Sequence, residues 1–187
     1  MQSAKLQTIR LLNGLLLINN ERTAGYKKMI SLMQSDGTLE LQYLNLQLLL
    51  SNFLHQSQLF SGTLQNILLI EGGKMPYGVK VDIQLYQSVR EMKALFAGLT
   101  ENNIRETANR CEQILVQAYQ QVLNEHWLPE QQEEIVARQF AELKTSAKLE
   151  EERVPAEPGF WNWEMGAAKA TDPLMSVMLR HEPSQLT

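Results

Sequence analysis

The sequence predicts an all-α protein: an up-down bundle of four long helices, with an extra short helix and an ordered C-terminal tail. Two observations predict this fold. Apolar residues recur three and four positions apart through most of residues 6–153, which is the spacing of one helix face. Segments rich in helix breakers, such as "GGKMPYG" at 72–78 and "HWLPEQ" at 126–131, interrupt that pattern.

The first two stretches are predicted to be long helices. The first ends before Asp36-Gly37, because a glycine past the last periodic residue is a helix stop. The second keeps its apolar seam from Leu39 to Ile67, about 30 residues or roughly 45 Å of helix. Its opening, "LELQYLNLQL", partly alternates like a strand, but the seam continues far beyond strand length. Helix is therefore favoured.

Three further helices are predicted. A short one spans residues 79–98, and Thr100 is the expected N-cap of the next, whose core face runs from Ile104 to Val122. The last begins after Pro129, at about Glu130, and ends at Arg153. Its expected buried residues are Ile135, Phe140, Leu143 and Leu149.

Four long amphipathic helices cannot bury their apolar faces separately, so we expect antiparallel packing with crossing angles near 20°. The short helix lies in the link between the second and third long helices, which lets that link span the length of the bundle. The predicted domains are a bundle over residues 1–153 and an extension over 154–187. The extension contains Trp161 and Trp163 and is expected to pack on the bundle or on a partner subunit.

Composition narrows the classes of function. The net charge is −4, and no basic stripe exists for a nucleic acid to bind. The single cysteine, Cys111, leaves no intramolecular disulfide and fits a reducing compartment. The start of the chain lacks a small-residue cleavage site, and no apolar run approaches the roughly 20 residues that cross a bilayer. We therefore expect a cytoplasmic protein without a membrane partner.

Three segments resemble a known family: "LLNGLLLINNERTAGYKKM", "LFSGTLQNILLIEGGKMP" and "ANRCEQILVQAYQQVLNEHWLPE". They are similar to the uncharacterised bacterial branch of ferritin-like four-helix-bundle proteins, a domain of unknown function loosely linked to stress. The resemblance covers about residues 6–153. Its most specific features are the Asn-acidic-x-x-x-Gly-Tyr pattern ending at Tyr26, the Gly-Gly after the second helix, and Glu112 followed by Ala118 and Tyr119. It implies a ferritin-like topology.

The resemblance also raises the question of a metal centre. A di-iron bundle site needs a glutamate from each of two helices and a Glu-x-x-His motif from each of the other two. Glu21 and Glu112 match acidic positions of that pattern, but no Glu-x-x-His occurs in the chain. We therefore expect no metal and no cofactor. If a metal did bind, the candidate ligands would be Glu21, Glu112, His55 and Glu142.

Two interpretations of Glu21 and Glu112 follow. Each could be a residual ligand, or a partly buried carboxylate hydrogen-bonded to a neighbouring Tyr, Asn or Arg, which is favoured because a lone buried carboxylate is costly. The second interpretation predicts a non-catalytic structural or protein-interaction module. Such a module is expected to be a homodimer, with Trp161 and Trp163 of the tail as candidate contacts. The alternative is a degenerate carboxylate-bridged di-metal protein that handles oxygen or peroxide.

Overall fold

The protein is all-α, as predicted, in a computed structural model that describes residues 2–35, 41–72 and 81–153. Within those residues there is no β-strand, and the second stretch, despite its alternating start, is helical from Leu41. The elements in chain order are α1 (Gln2–Ser35), α2 (Leu41–Ile70), α3 (Ile83–Ala97), a 3-10 turn (Glu101–Asn103), α4 (Ile104–Asn124) and α5 (Glu130–Arg153).

The described residues up to Glu151 form one compact unit. The extension predicted over residues 154–187, with its two tryptophans Trp161 and Trp163, lies outside the described residues. The same holds for the predicted stop at Asp36-Gly37.

Two helix starts differ from their predicted positions. α3 begins later than expected, because the Asp82 carboxylate accepts the backbone N–H groups of Gln84 (2.9 Å) and Leu85 (3.4 Å) and so acts as N-cap. Thr100, the expected cap of α4, instead precedes the 3-10 turn. Its own N–H donates to Asn103 Oδ1 at 2.8 Å, and α4 starts one residue after Asn103.

Hydrogen bonds between side chains show that α1 and α2 are antiparallel. Ser61 Oγ donates to Asn20 Oδ1 at 3.1 Å, and Arg22 Nη2 donates to Gln56 Oε1 at 3.0 Å. Moving forward along α1 therefore means moving backward along α2.

Hydrogen bonds of side chains also give the directions of α4 and α5. Thr8 Oγ1 of α1 donates to the Trp127 carbonyl just past α4 (2.8 Å), and Asn19 Nδ2 donates to Tyr119 Oη (3.0 Å), so α4 also runs against α1. Gln56 of α2 donates to Ser146 Oγ of α5 at 3.2 Å. Because Glu71 bonds Gln132 near the opposite ends, α5 is antiparallel to α2. α1 and α5 thus run one way, and α2 and α4 the other.

α3 runs parallel to α1 and packs directly on its backbone. A Cβ at Gly14 would stand 2.8 Å from Leu85 Cβ, and a Cβ at Gly25 would overlap the Phe96 ring. The two glycines are eleven residues apart, about three helical turns, so they lie on one face of α1. Glycine at both positions permits the close approach of α3, which also contacts α4.

The buried face of α5 differs from the prediction. Val136 and Leu143 are fully buried, whereas Ile135 and Phe140 are only partly buried. Gln139 is a polar member of this face, with 5% of its surface exposed. The side chain of Leu149 lies outside the described residues. The prediction was therefore correct at Leu143, whereas Val136 and Gln139 hold the interior positions expected of Ile135 and Phe140.

Candidate functional site

Glu21 of α1, one of the candidate ligands named from the sequence, lies at the rim of the helix packing. Its side chain is 27% exposed, and its Oε1 lies 3.3 Å from Nζ of Lys93 on α3. It is partly buried, as the favoured interpretation expected, but its ionic partner is a lysine of the neighbouring helix.

Glu112 on α4 has the opposite environment. Its Oε1 accepts Arg22 Nε at 2.7 Å and its Oε2 accepts Arg22 Nη2 at 2.7 Å, which makes a bidentate guanidinium–carboxylate pair. The Tyr26 hydroxyl donates a short hydrogen bond to the same Oε1. These three side chains, Arg22, Tyr26 and Glu112, form what we call the polar centre, and both carboxylate oxygens are occupied in it.

The helical repeat explains why Arg22 and Tyr26 meet the same carboxylate. Residues four apart are stacked on one helix face, so both side chains point from α1 toward α4. Glu112 lies next to Cys111 within the buried face of α4, which places its carboxylate inside the packing. Arg22 and Tyr26 are fully buried.

The other two long helices contribute through Gln56. Its Oε1 accepts Arg22 Nη2, and its Nε2 donates to Ser146 Oγ on α5. Arg22 therefore links α1 directly to α4 and α2, and Gln56 extends the connection to α5. All four long helices are joined through this one hydrogen-bonded chain.

A second series of hydrogen-bonded side chains begins at Asn19, three residues before Arg22 in α1. Asn19 Nδ2 donates to Tyr119 Oη, and the Tyr119 hydroxyl donates to Gln139 Oε1 at 2.8 Å, which connects α1, α4 and α5. Asn19 also donates to the Leu15 carbonyl at 2.9 Å. The Asn19 Nδ2 group, the Tyr119 hydroxyl and Gln139 Oε1 are thus paired across helices, whereas Asn19 Oδ1 is buried without a hydrogen-bond partner among the described residues.

Aromatic rings complete the surroundings of the guanidinium. The Arg22 carbon Cζ stands 5.4 Å from the ring centroids of both Tyr26 and Phe53. Burial alone would oppose the charge of Arg22, but the attraction of Glu112 outweighs it and raises the pKa of Arg22 above its ordinary value. Arg22 is therefore a permanent cation of the interior.

The two phenols and the thiol of this interior are held neutral. Burial raises the pKa of Tyr26, Tyr119 and Cys111 above their ordinary values, and the Glu112 carboxylate adds to the effect on Cys111. A thiolate is the reactive form of cysteine. Cys111 is thus an unreactive core thiol at neutral pH.

The four candidate metal ligands are spread over separate environments. Glu21 pairs with Lys93 and Glu112 with Arg22, while His55 and Glu142 are exposed on α2 and α5. In the part of the chain that the structure describes, no three His, Cys, Asp or Glu side chains form a group that could hold a metal ion. The donor set does not fit a di-metal centre, because the interior carboxylate is surrounded by a guanidinium and a phenol.

The most important residue of the site, Arg22, was missed from the sequence. A neighbouring Tyr, Asn or Arg was expected as the partner of a buried carboxylate, but Arg22 itself was not identified as an interior residue. A usable signal existed. Arg22 stands three residues after Asn19 and four before Tyr26, so it shares the helix face that both occupy.

Comparison with known proteins leaves the chain without an assigned family: no family model, no curated protein and no solved structure matches it. In the described helices, no segment combines the length and the apolar character needed to cross a membrane.

Proposed function

We propose that this chain is a non-catalytic, ferritin-like helical bundle that acts as a structural or protein-interaction module. The helix directions support the topology. α2 and α4 run the same way, so the link between them has to return along the bundle. α3 runs in that return direction and occupies the link, which matches a ferritin-like bundle of α1, α2, α4 and α5 with a helix in its crossover.

The environment of Glu112 carries the non-catalytic part of the proposal. A metal bound at this carboxylate would need lone pairs that already accept Arg22 and Tyr26. It would also have to enter beside a buried guanidinium, where two cations repel each other strongly in a medium of low dielectric constant. Arg22 supplies the positive charge that the interior carboxylate requires, and the polar centre then joins the helices.

Metal analysis tests this proposal. Protein purified from cells supplied with iron, manganese and zinc is measured by elemental analysis, beside a Glu112→Gln variant as the matched control. We expect far less than one metal ion per chain in both proteins. One or two ions per chain, lost in the variant, would reject the proposal. That result would favour the alternative, a degenerate carboxylate-bridged di-metal protein with oxygen or peroxide chemistry.

Self-association belongs to the same proposal. A module without a catalytic centre acts through contacts, and a homodimer is the commonest closed assembly of soluble proteins. Trp161 and Trp163 support it from the sequence, because large aromatic side chains are enriched at interfaces. The net charge of −4 and the absence of a basic stripe argue against a nucleic acid as the partner. Sedimentation of the full chain over a range of concentrations measures the assembly.

A further inference from the structure

α2 differs from every other described helix in its charge. Its 30 residues, Leu41–Ile70, include no Asp, Glu, Lys or Arg. α1, α3, α4 and α5 each carry both acidic and basic residues. A helix in a water-soluble bundle normally directs charged residues outward. The outward face of α2 is therefore unusual for a surface that meets only water.

That outward face is a straight strip of exposed residues: Leu44, Leu48, His55, Leu59, Asn66 and Ile70. The steps along it are four and seven residues, so equivalent positions recur every eleven residues. Eleven residues make about three turns, and such a repeat stays on one side of a nearly straight helix. We call this set the α2 strip. Four of its six members are aliphatic.

Gly62 lies on the same side of α2, eighteen residues, or about five turns, after Leu44. The two glycines within α1, Gly14 and Gly25, each admit a side chain of α3. At Gly62, by contrast, no described atom other than the backbone around it in α2 lies within 4 Å of the position that a Cβ would take. A glycine inside a helix costs about 1 kcal/mol relative to alanine. No close packing against Gly62 within the described residues offsets that cost.

We infer that the α2 strip is the surface on which two copies of this chain associate. The inference rests on the proposed self-association and names its contact surface. Every copy carries the same net charge of −4, so copies repel each other wherever charged faces meet. The α2 strip is the long face on which that repulsion is smallest. Gly62 lets a second helix approach closely.

The chemistry of the α2 strip favours a second copy of the chain over other binding partners. An acidic or basic partner would find no opposite charge on α2. Helices that lie on lipid surfaces usually carry lysine and arginine on their polar side, and α2 has neither. The amide of Asn66 is self-complementary, because it has both a donor and an acceptor. An identical neutral face therefore fits this strip best.

The size of the strip predicts the strength of the association. From Leu44 to Ile70 the helix rises about 39 Å, and with a width of about 10 Å the footprint is roughly 400 Å² per copy. Two copies would bury roughly 800 Å² through α2 alone, which is less than the roughly 1,200 Å² of a stable interface and in the range of weak, transient ones. We therefore expect a reversible dimer whose population depends on protein concentration.

A charge introduced into the strip tests the inference. Leu48 is 63% exposed and Ile83, on α3, is 76% exposed, so neither substitution disturbs the core. In sedimentation of the full chain, Leu48→Glu is expected to raise the dimer dissociation constant at least tenfold. Ile83→Glu, the matched control with the same added charge, is expected to leave it within about twofold, because scattered surface changes have small effects.

A cross-linking experiment locates the contact independently. The single native thiol, Cys111, is buried, so any disulfide between copies forms through the introduced cysteine. Under mild oxidation, His55→Cys in the middle of the strip is expected to give disulfide-linked dimers. Ile83→Cys is expected to give few.

Three results would overturn the inference. A dimer that survives Leu48→Glu and does not cross-link through His55→Cys would leave self-association standing but place it on another surface. A monomer at all concentrations would remove both proposals. A monomer that Leu48→Glu strongly destabilises would mean that a segment of the same chain covers the strip.

Discussion

Two adjacent residues of α1, Glu21 and Arg22, form ion pairs in opposite environments. Glu21 pairs with Lys93 at the rim, where the two side chains are 27% and 60% exposed. Arg22 pairs with Glu112 in the interior, where they are 0% and 7% exposed. One step along a helix turns the side chain by about 100°, and that turn separates the solvated pair from the buried one.

The difference shows that the same attraction has unequal consequences. At the rim, water solvates either ion if its partner is lost, and exposed pairs contribute only about 0–1 kcal/mol. In the interior, neither ion has water to replace its partner. The buried pair is stable only as a set, since losing one member leaves an uncompensated charge among apolar side chains. Stability should therefore depend on the second pair far more than on the first.

Replacing the glutamate of each pair by glutamine should give the largest difference in stability between the two pairs. Glu112→Gln leaves the Arg22 guanidinium buried without an anion and is expected to lower the free energy of unfolding by about 3–5 kcal/mol. Glu21→Gln, its matched control at the rim, should cost less than about 1 kcal/mol. Urea unfolding followed by circular dichroism measures both. Equal losses would contradict the comparison.

Removing both members of each pair should show how much larger the coupling free energy of the buried pair is. The double replacement Arg22→Met with Glu112→Leu leaves no unpaired charge and fills a similar volume. We expect it to recover most of the stability lost in either single variant, so that the coupling free energy reaches about 3 kcal/mol. The corresponding cycle for Glu21 and Lys93 should give less than about 1 kcal/mol. Additive losses at the buried pair would show that charge compensation is not what holds it.

The phenol of the polar centre should matter less than the ions, but still measurably. Tyr26→Phe removes the donor to Glu112 and leaves part of that carboxylate unsatisfied, which is expected to cost about 1–3 kcal/mol. Tyr86 on α3 is 53% exposed, and Tyr86→Phe should change stability by less than about 0.5 kcal/mol. The two variants are compared by thermal and urea unfolding. A similar cost for both would assign the effect of Tyr26 to its ring.

Alkaline pH should act on the buried region first. The folded pKa of Cys111 is raised above its ordinary 9.0, and those of Tyr26 and Tyr119 above 10.0. Their stabilising contribution is complete below those ordinary values. It falls as pH rises past them, because the unfolded chain releases protons that the folded chain retains.

The thiol alone gives the smallest of these effects and the cleanest control. Between pH 9 and pH 10, the native chain is expected to lose about 1 kcal/mol more stability than Cys111→Ala, which has no thiol to titrate. Urea unfolding at both pH values measures the difference. Parallel losses in the two proteins would mean that the thiol titrates equally in the folded and unfolded states.

Much of the architecture could be predicted from the sequence. The five helices follow from apolar spacing, and the start of α5 at Glu130 follows from Pro129, since both signals act within a few residues. The start of α3 was missed although Asp82 is a common type of N-cap residue. Phe140 of α5 was predicted to be buried where Gln139 is, because Gln139 is polar and an apolar pattern does not reveal its interior position.

Local pattern by itself determined that these segments are helical and, to within a few residues, where each helix lies. It also determined that a histidine-containing di-iron motif is absent, because spacing and residue type are properties of short segments. Only the tertiary structure decided which of two adjacent residues in α1, Glu21 or Arg22, became the buried ion. Arg22 meets Glu112 across 90 residues of chain, and the fate of each charge depends on which helix lies opposite. The free energy of a charge depends on burial and partner, and both are set by packing between distant segments.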